Sequence, residues 1–306
     1  MTAAILDFGT NTFNLLIAEP SGSTFRVLYS GKEAVKLGRG GIHKNTITQE
    51  AMERGLNAIA RHMETIRKYG ATEIRAFATS AMRNASNGKA FAGMIRERFG
   101  FDTRIISGSE EAELIYEGIM ASVDVGNRTA MIMDIGGGSN EFIICNADGI
   151  LWRHSFELGM ARIIEQFPVS EPITPEEIRT IEEHYDRALQ PLFREAAAFK
   201  PTLLIGASGT FDTLAAMAAH RFGITAAEGA SNVPVHPDHY RQLHQLLLTS
   251  TAGERLKMPG MEPVRVEMIV PATIFINFVF NRCGLTSIIQ SQYALKEGVM
   301  ARLVRS

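Results

Sequence analysis

Two similar stretches decide the fold. The first is Ala4-Ile-Leu-Asp7-Phe-Gly9-Thr-Asn-Thr12-Phe-Asn-Leu-Leu-Ile17, and the second is Met131-Ile-Met-Asp134-Ile-Gly136-Gly-Gly-Ser139-Asn-Glu-Phe-Ile-Ile144. At a constant offset of 127 residues, an acid, a glycine and a hydroxyl residue coincide: Asp7 with Asp134, Gly9 with Gly136, and Thr12 with Ser139. Apolar runs flank each polar turn, which predicts strand, turn and strand. So long a period indicates a duplicated domain and not a solenoid.

The segments that follow each copy alternate between strand and helix patterns. After the first copy we predict these elements: strand Phe25–Tyr29, helix Gln49–Tyr69, strand Ile74–Ala78, helix Lys89–Phe99, strand Thr103–Ile106 and helix Glu110–Ala121. Thr46 and Gln49 form a capping-box pattern for the first helix, and Gly70 ends it.

The second half repeats this alternation. We predict these elements: strands Ala130–Asp134, Glu141–Asn146 and Leu151–Phe156, a long helix from the capping box at Thr174–Glu177, strand Thr202–Ile205, helices Phe211–His220, Asp238–Leu248 and Val266–Arg282, strand Thr286–Gln290, and helix Tyr293–Val304. The pattern predicts two α/β domains that face one another.

The composition excludes several classes of protein. The 306 residues are 45% hydrophobic and 21% charged, which is typical of a globular chain and not of a disordered one. The apolar stretch Met268–Phe280 is too short to span a bilayer and predicts a buried helix. The first residues are not typical of a secretory signal, and two distant cysteines, Cys145 and Cys283, do not predict a disulfide framework. A cytoplasmic protein without a membrane contact fits best.

The net charge of -2 argues against a binder of nucleic acid polymers, but it averages two unlike regions. Residues 20–106 contain 15 Lys plus Arg and 7 Asp plus Glu, whereas residues 124–306 contain 16 and 20. The basic excess of the first region is either a solvated face or a surface for a polyanionic partner.

The two glycine turns suggest a phosphate site. Backbone N–H groups in such turns can approach phosphate oxygens, while the neighbouring aspartates organise a divalent cation. The alternative is that they are plain turns between apolar strands, but their occurrence in a pair favours the functional interpretation. A third loop, Gly206–Thr210, is either an anion site at a helix start or an ordinary strand-to-helix connection. Arg83, after a strand, either binds phosphate or is solvated.

Acids and histidines elsewhere are less specific. In Ser107-Gly-Ser-Glu-Glu-Ala-Glu113, the glutamates either cap a helix or include a general base for an attacking water. His236, His239 and His244 only loosely resemble a metal-binding spacing.

Five motifs occur in the order seen in the exopolyphosphatase and guanosine pentaphosphate phosphohydrolase family, which the chain resembles over nearly its whole length. They are Asp7-Phe-Gly-Thr-Asn-Thr12, Ala78-Thr-Ser-Ala-Met-Arg83, Ser107-Gly-Ser-Glu-Glu-Ala-Glu-Leu114, Asp134-Ile-Gly-Gly-Gly-Ser-Asn-Glu141 and Gly206-Ala-Ser-Gly-Thr210. The resemblance is to short members that lack an additional C-terminal helical domain. It implies an α/β fold of two actin-like (RNase H-like) domains, each a mixed sheet flanked by helices, with the active site in the cleft. The implied domains are residues 1–123, completed by the C-terminal helix 293–306, and residues 124–292.

The resemblance also implies roles for individual residues. Glu111 would be the general base, with Glu110 as a less certain neighbour, and Glu141 and Arg83 would assist catalysis. The implied phosphate contacts are Thr10, Asn11, Thr12, Gly136, Gly137, Gly138, Ser139, Gly206, Ser208, Gly209 and Thr210. The implied ligands of Mg²⁺ (or Mn²⁺) are Asp7, Asp134 and Glu141.

The implied reaction is hydrolysis that releases terminal orthophosphate from inorganic polyphosphate, guanosine pentaphosphate or both. The implied assembly is a homodimer. Three departures affect the substrate side: the family's Arg-x-Asp is Arg265-Val-Glu267, a nearby glycine is Ala272, and the arginine of Leu-Arg-Glu-Gly is Lys296. Two alternatives remain open, namely a regulator that binds guanosine tetraphosphate with little turnover and an actin-like ATPase or kinase.

Overall fold

The computed structural model describes residues 2–224 and 229–305. Its first sheet has the strand order β3-β2-β1-β4-β5. These strands are β1 (Ala3–Phe8), β2 (Thr12–Ser21), β3 (Thr24–Ala34), β4 (Glu73–Ala78) and β5 (Thr103–Ile105). The second sheet has the order β10-β11-β9-β6-β7-β8. These strands are β6 (Ala130–Ile135), β7 (Asn140–Asn146), β8 (Gly149–Phe156), β9 (Leu203–Ala207), β10 (Asn232–Val235) and β11 (Ser287–Ser291).

Twelve α-helices surround the sheets in the described part of the chain. They are α1 (Gln49–Lys68), α2 (Ser80–Asn84), α3 (Gly88–Phe99), α4 (Gly108–Met120), α5 (Met160–Gln166), α6 (Pro175–Ala188), α7 (Gln190–Phe199), α8 (Ser208–Phe222), α9 (Pro237–Leu248), α10 (Ala252–Arg255), α11 (Ile269–Arg282) and α12 (Leu295–Arg305). Short 3-10 turns form at Ile42–Lys44 and Pro263–Arg265.

The two sheets share one topology at their centres. In the first, β1 pairs antiparallel with β2, β2 with β3, and β1 runs parallel to β4. In the second, β6, β7, β8 and β9 repeat these relations in the same order. The predicted duplication and the predicted fold class, two mixed sheets flanked by helices, are therefore confirmed. We call the first sheet with α1–α3 the first lobe, and the second sheet with α5–α11 the second lobe.

A layer of two helices joins the lobes. On their outer faces, the sheets pack against the other helices of their own lobes. On their inner faces, Ile5 and Leu16 of one sheet and Ile132 and Ile205 of the other belong to a single core with α4 and α12. Helix α12 packs against β1, β2 and β3, whereas α4 packs against β7 and β8 as well as against α12. Helix α4, which the predicted boundary assigns to residues 1–123, thus contacts the second sheet directly.

The close crossing of α4 and α12 requires glycine on both helices. A Cβ atom on Gly118 would lie 2.0 Å from the carbonyl oxygen of Ala294, and one on Gly298 would lie 1.8 Å from that of Leu114. No side chain fits at such distances, so these two glycines bring the helix backbones into contact.

Several local predictions need correction. The capping residue of α1 is Thr48, whose side chain accepts from Ala51 N, and not Thr46. The capping box at Thr174 is confirmed, but the long helix it begins stops at Ala188. A new helix starts at Gln190 with Pro191 in its first turn, because proline supplies no N–H to continue the preceding helix. The sequence patterns also missed the short elements α2, α5, α10 and β10, in which few residues carry the periodic signal.

The apolar stretch Met268–Phe280 forms most of α11, as predicted, and ten residues of that helix are buried in the second lobe. In the described part of the chain, no helix is long and apolar enough to cross a membrane.

Candidate active site

A cavity of about 660 Å³ lies between the lobes, and both glycine turns line it. The sequence-predicted site residues that line it are Asp7, Thr10, Asn11, Thr12, Glu111, Asp134, Gly136, Gly137, Gly138, Ser139, Glu141, Ser208 and Gly209. These residues come from four of the five motifs, and Thr79 and Ser80 of the fifth also line the cavity. The fold therefore gathers all five motifs into one cleft.

Strand register places the polar residues of each lobe in a row. In the first lobe Asp7 is paired with Asn14, and Asn14 with Lys32, across β1, β2 and β3. Because directly paired residues project from the same face of a sheet, these three side chains share one face. In the second lobe the equivalent row across β6, β7 and β8 is Asp134, Glu141 and Ser155. We call these the first-lobe row and the second-lobe row.

The two turns have the same backbone geometry. Gly9 N donates to Thr12 O at 3.0 Å, and Gly136 N donates to Ser139 O at 3.1 Å. Within each turn, two further N–H groups have no hydrogen-bond acceptor in the described part of the chain: those of Thr10 and Asn11, and those of Gly137 and Gly138. Unpaired N–H groups facing a cleft favour an anion.

The side chains of the turns interlock across the cleft. A Cβ atom on Gly137 would lie 2.5 Å from Nδ2 of Asn11, and one on Gly138 would lie 2.5 Å from Oγ1 of Thr10. The missing side chains of the second turn thus leave room for those of the first. Asn11 also donates to Sδ of Met268 in the second lobe, at 3.0 Å.

Glu111 projects into the cavity from the start of α4. Ser107 caps this helix by accepting from Glu110 N at 3.1 Å. Glu111 is buried, and Oε2 of its carboxylate accepts from Nη1 of Arg83 at 2.7 Å. Burial, followed by the charge of Glu141, raises the pKa of Glu111 well above its ordinary value, while Arg83 acts in the opposite direction. Glu110 instead pairs with Arg104 at 2.7 Å and does not line the cavity.

Arg83 connects the motifs without lining the cavity itself. Besides Glu111, its guanidinium donates to Ile106 O at 3.2 Å and to Oγ of Ser139 at 3.4 Å. Arg83 is thus neither solvated nor aimed at open space, and it fixes Glu111 beside the second turn.

Glu141 is a buried acid held by two hydroxyl groups. Oε1 of Glu141 accepts from Oγ of Ser139 and from Oγ of Ser155, both at 2.7 Å. Burial and the charge of Asp134 raise the pKa of Glu141 to about 7. Burial also raises the pKa of Asp134 to about 6, against the hydrogen bond from Ser208. In each case, the cost of removing a charged carboxylate from water exceeds the benefit of its hydrogen bonds.

Asp7 occupies the equivalent position in the first lobe. Its Oδ2 accepts from Nδ2 of Asn14 at 2.9 Å, and burial raises its pKa to about 6. Asp7, Asp134 and Glu141 therefore place hard oxygen ligands in one desolvated cavity, where a divalent cation would relieve their mutual repulsion.

These carboxylates suit Mg²⁺ better than a cation that needs a complete protein cage. Among residues 2–224 and 229–305, no three acidic, histidine or cysteine side chains form a cluster that could hold a metal alone. Mg²⁺ is ordinarily held by one or two carboxylates together with water and substrate phosphates. The donor set fits that mode of binding.

The third glycine loop contributes only part of what the sequence predicts. Ser208 and Gly209 line the cavity, but Gly206 and Thr210 do not. Gly206 lies in β9 under the ring of Phe211, and Thr210 is buried in the first turn of α8. The structure therefore does not bring Gly206 and Thr210 to the cavity lining, and their phosphate contacts stay predictions. Ser208 has a φ of 69°, a left-handed conformation that is uncommon for serine.

Several polar residues of the cavity lining were not predicted as site residues. Arg265 lines the cavity and lies against Gly209, and its buried Nε has no hydrogen-bond partner in the described residues. Lys296 pairs with Glu297 at 2.9 Å, and Asp212 accepts from Gln290 at 2.7 Å. In the sequence, Arg265 stands out only as the arginine of a family motif that is altered at Glu267, and Lys296 only as a replacement of a family arginine. Asp212 follows the third loop without a pattern of its own.

The histidines lie outside the cavity lining. Nδ1 of His236 accepts from Asp238 N at the start of α9, and His244 is buried against Thr273.

Fold and site together define a two-lobed α/β protein whose cleft combines anion-binding turns with buried acids. The family model for the Ppx/GppA phosphatase family matches residues 16–306. The chain belongs to this family, whose members are phosphatases that hydrolyse phosphoanhydrides.

Individual relatives agree with this assignment. The chain is similar to a Haemophilus influenzae protein provisionally named an exopolyphosphatase, with 27% identity over 99% of this chain and 91% of the relative. It is 26% identical to the guanosine-5'-triphosphate,3'-diphosphate pyrophosphatase of Vibrio atlanticus, over 98% of this chain and only 59% of that protein. Among solved structures, an exopolyphosphatase from Cytophaga hutchinsonii has 36% identity and a TM-score of 0.96, covering 100% of this chain and 98% of that one. An Aquifex aeolicus family member, at 20% identity over 100% of this chain and 98% of that one, shares the fold with a TM-score of 0.82.

Proposed function

We propose that this chain releases terminal orthophosphate from inorganic polyphosphate, guanosine pentaphosphate or both, with Glu111 as the general base. The observation that carries the proposal is the position of Glu111: it is buried, held by Arg83 at 2.7 Å, and faces the same cavity as both glycine turns. Relatives named for each of the two substrates support the substrate class.

The turns supply the phosphate site. The unpaired N–H groups of Thr10, Asn11, Gly137 and Gly138 would donate to oxygens of the terminal phosphoryl group from both lobes. Such preorganised donors stabilise the charge that spreads over the equatorial oxygens during phosphoryl transfer.

Glu111 and Glu141 have different roles in the proposed reaction. A general base is most effective when its pKa lies near the working pH, and burial beside Glu141 moves the pKa of Glu111 in that direction. Arg83 orients the Glu111 carboxylate toward an attacking water. Glu141, fixed by Ser139 and Ser155, would orient the same water or bind the cation.

One or two of the acids Asp7, Asp134 and Glu141, together with water and substrate phosphate, would hold Mg²⁺ (or Mn²⁺). When bound, the cation would neutralise charge on the phosphate oxygens. Because cation binding opposes protonation of these acids, we expect added Mg²⁺ to raise the thermal midpoint more at pH 8 than at pH 5.5. An equal rise at both pH values would argue against these ligands.

The substitution Glu111→Gln tests the mechanism. We expect kcat to fall by about 10²–10⁴-fold, the usual range for loss of a general base. The matched control is Glu110→Gln, because the neighbouring acid pairs with Arg104 outside the cavity and its loss leaves kcat within about twofold. Phosphate release from polyphosphate, guanosine pentaphosphate and ATP is measured side by side with Mg²⁺.

The same assay separates the competing functions. Unchanged release by Glu111→Gln contradicts the assigned base. Tight binding of guanosine tetraphosphate without turnover would indicate a regulator, and ATP turnover with polyphosphate inert would indicate an ATPase or kinase.

A further inference from the structure

Lys32 ends the first-lobe row at the edge of the cavity. It pairs in register with Asn14, which in turn pairs with Asp7, and all three residues line the cavity. Two strand spacings separate the backbones of Asp7 and Lys32, about 10 Å. Asp7, at one end of the row, is expected to bind the cation. Lys32, at the other end, is far enough away to contact a different part of an extended substrate.

The ammonium group of Lys32 is bound to the opposite lobe. Nζ donates to both carboxylate oxygens of Glu262, at 2.7 and 2.6 Å. Glu262 comes directly before the Pro263–Arg265 turn, whose Arg265 also lines the cavity. The side chains of the pair remain 40% and 34% exposed, so an incoming anion can reach the ammonium group.

Lys32 and the proposed base reach the cavity from different elements. Lys32 is on β3, the edge strand of the first sheet, two strands away from Asp7 on β1. Glu111 is in the first turn of α4, which packs against β7 and β8 of the second sheet. The charge of Lys32 also opposes the rise that burial causes in the pKa of Asp212, another residue of the cavity lining.

A second cross-lobe pair provides the comparison. Nζ of Lys36 lies 3.1 Å from Oε2 of Glu267, again joining the first lobe to the second. Neither Lys36 nor Glu267 lines the cavity. The two pairs thus share a chemistry and a bridging position, but only one of them faces the substrate.

We propose that Lys32 binds an anionic phosphate group on the leaving-group side of the scissile bond, and that Glu262 holds the ammonium group when no substrate is bound. An exposed ion pair contributes little to stability, so exchanging its carboxylate for a phosphate costs little. A phosphate carries more charge and offers more acceptors to the three N–H donors of lysine. The inference rests on the proposed function, and the phosphate could belong to a polyphosphate chain or to a diphosphate of a guanosine nucleotide.

Four single variants test this exchange: Lys32→Gln, Lys36→Gln, Glu262→Gln and Glu267→Gln. Kinetics are measured on polyphosphate and on guanosine pentaphosphate, and binding of tripolyphosphate is measured separately in EDTA, where no metal-dependent turnover occurs. We expect Lys32→Gln to raise KM about tenfold for one or both substrates, the loss of one charge-assisted contact, with kcat within about twofold. Glu262→Gln frees the ammonium group and lowers KM, whereas Lys36→Gln and Glu267→Gln leave KM unchanged.

The outcomes separate the two proposals. A KM effect confined to polyphosphate assigns the group to the chain, and one confined to guanosine pentaphosphate assigns it to the nucleotide. Equal effects of Lys32→Gln and Lys36→Gln, or a fall in kcat without a change in KM, would reduce Lys32 to an interlobe contact and overturn the inference. Absence of phosphate release by the unmodified chain contradicts the proposed function alone, because tripolyphosphate binding still tests Lys32.

Discussion

The first-lobe and second-lobe rows occupy equivalent places in a duplicated hairpin but carry different chemistry. Asp7 and Asp134 are alike in position and in their raised pKa values of about 6. Their partners on the neighbouring strands differ, since Asn14 donates to Asp7 whereas Glu141 is a second acid beside Asp134. Because Asn14 is a neutral amide and Glu141 is a buried acid, only the second-lobe row contains a second acid.

The turns differ in a complementary way. The first turn has side chains at Thr10 and Asn11, and the second has glycines at the equivalent positions, Gly137 and Gly138. After duplication, two identical turns with side chains would collide across the cleft. The glycines of the second turn therefore leave the space that the side chains of Thr10 and Asn11 occupy, because two sets of side chains cannot fill the same volume.

The largest expected effect comes from the position at which the rows differ most. Glu141→Gln should lower kcat by about 10²–10³-fold, because a buried acid next to Glu111 is lost. Asn14→Ala, at the equivalent first-lobe position, should lower kcat by less than about tenfold, because Asp7 remains. Steady-state phosphate release measures both. Equal losses would show that the two rows contribute alike.

The same Glu141 substitution should stabilise the protein. The folded-state pKa of about 7 lies above the ordinary 4.5, so the folded state binds the extra proton and loses stability as pH rises from about 4.5 to 7. Glu141→Gln removes this loss and should raise the free energy of unfolding by about 3 kcal/mol at pH 8, with no gain near pH 4. Urea unfolding at both pH values measures it, with the exposed Glu176→Gln as control. A gain of equal size at both pH values would exclude the ionisation of Glu141 as its cause.

A smaller effect tests the interlocked turns. Gly137→Ala places a Cβ atom against Asn11 and should destabilise the closed cleft by about 1–2 kcal/mol. The double variant Asn11→Ala with Gly137→Ala should recover most of this loss, because Asn11 is the residue that the new methyl group meets. Thermal unfolding of the four proteins completes the cycle. Additive effects would show that these two positions do not contact.

The smallest effect concerns the hydrogen bonds along each row. Asn14→Ala removes the donor to Asp7, and Ser155→Ala removes one of two hydroxyl donors to Glu141. Because both donors lower the pKa of their acid, each variant should move the acidic limb of the pH profile upward by about one pH unit or less. The profile of kcat/KM measures the shift. If the acidic limb of the profile does not move in either variant, groups other than Asp7 and Glu141 determine it.

Local patterns predicted much of the fold. Alternation and turn chemistry located both hairpins, the capping box located the start of α6, and the apolar stretch located α11. The patterns failed where an element is short or where competing caps stand close together, as with Thr46 and Thr48. In these places the choice depends on contacts that a few neighbouring residues do not specify.

The candidate site was predicted in part. Thirteen predicted residues line one cavity, because their motifs follow strands whose ends meet at the same edge. Gly206 and Thr210 were included with their loop although one lies under Phe211 and the other is buried. Asn14 and Ser155 were missed, although the hairpin register would have placed each of them beside an acid.

The sequence by itself determined the duplication, the turns and the acids, because these features depend on periodicity and residue type over short stretches. Tertiary structure decided which acid faces the cavity, Glu111 and not Glu110, and which lysine ends a row, Lys32 and not Lys36. It also placed α4 and α12 between the sheets through Gly118 and Gly298. These choices depend on burial and on contacts between residues far apart in the chain, which no local pattern encodes.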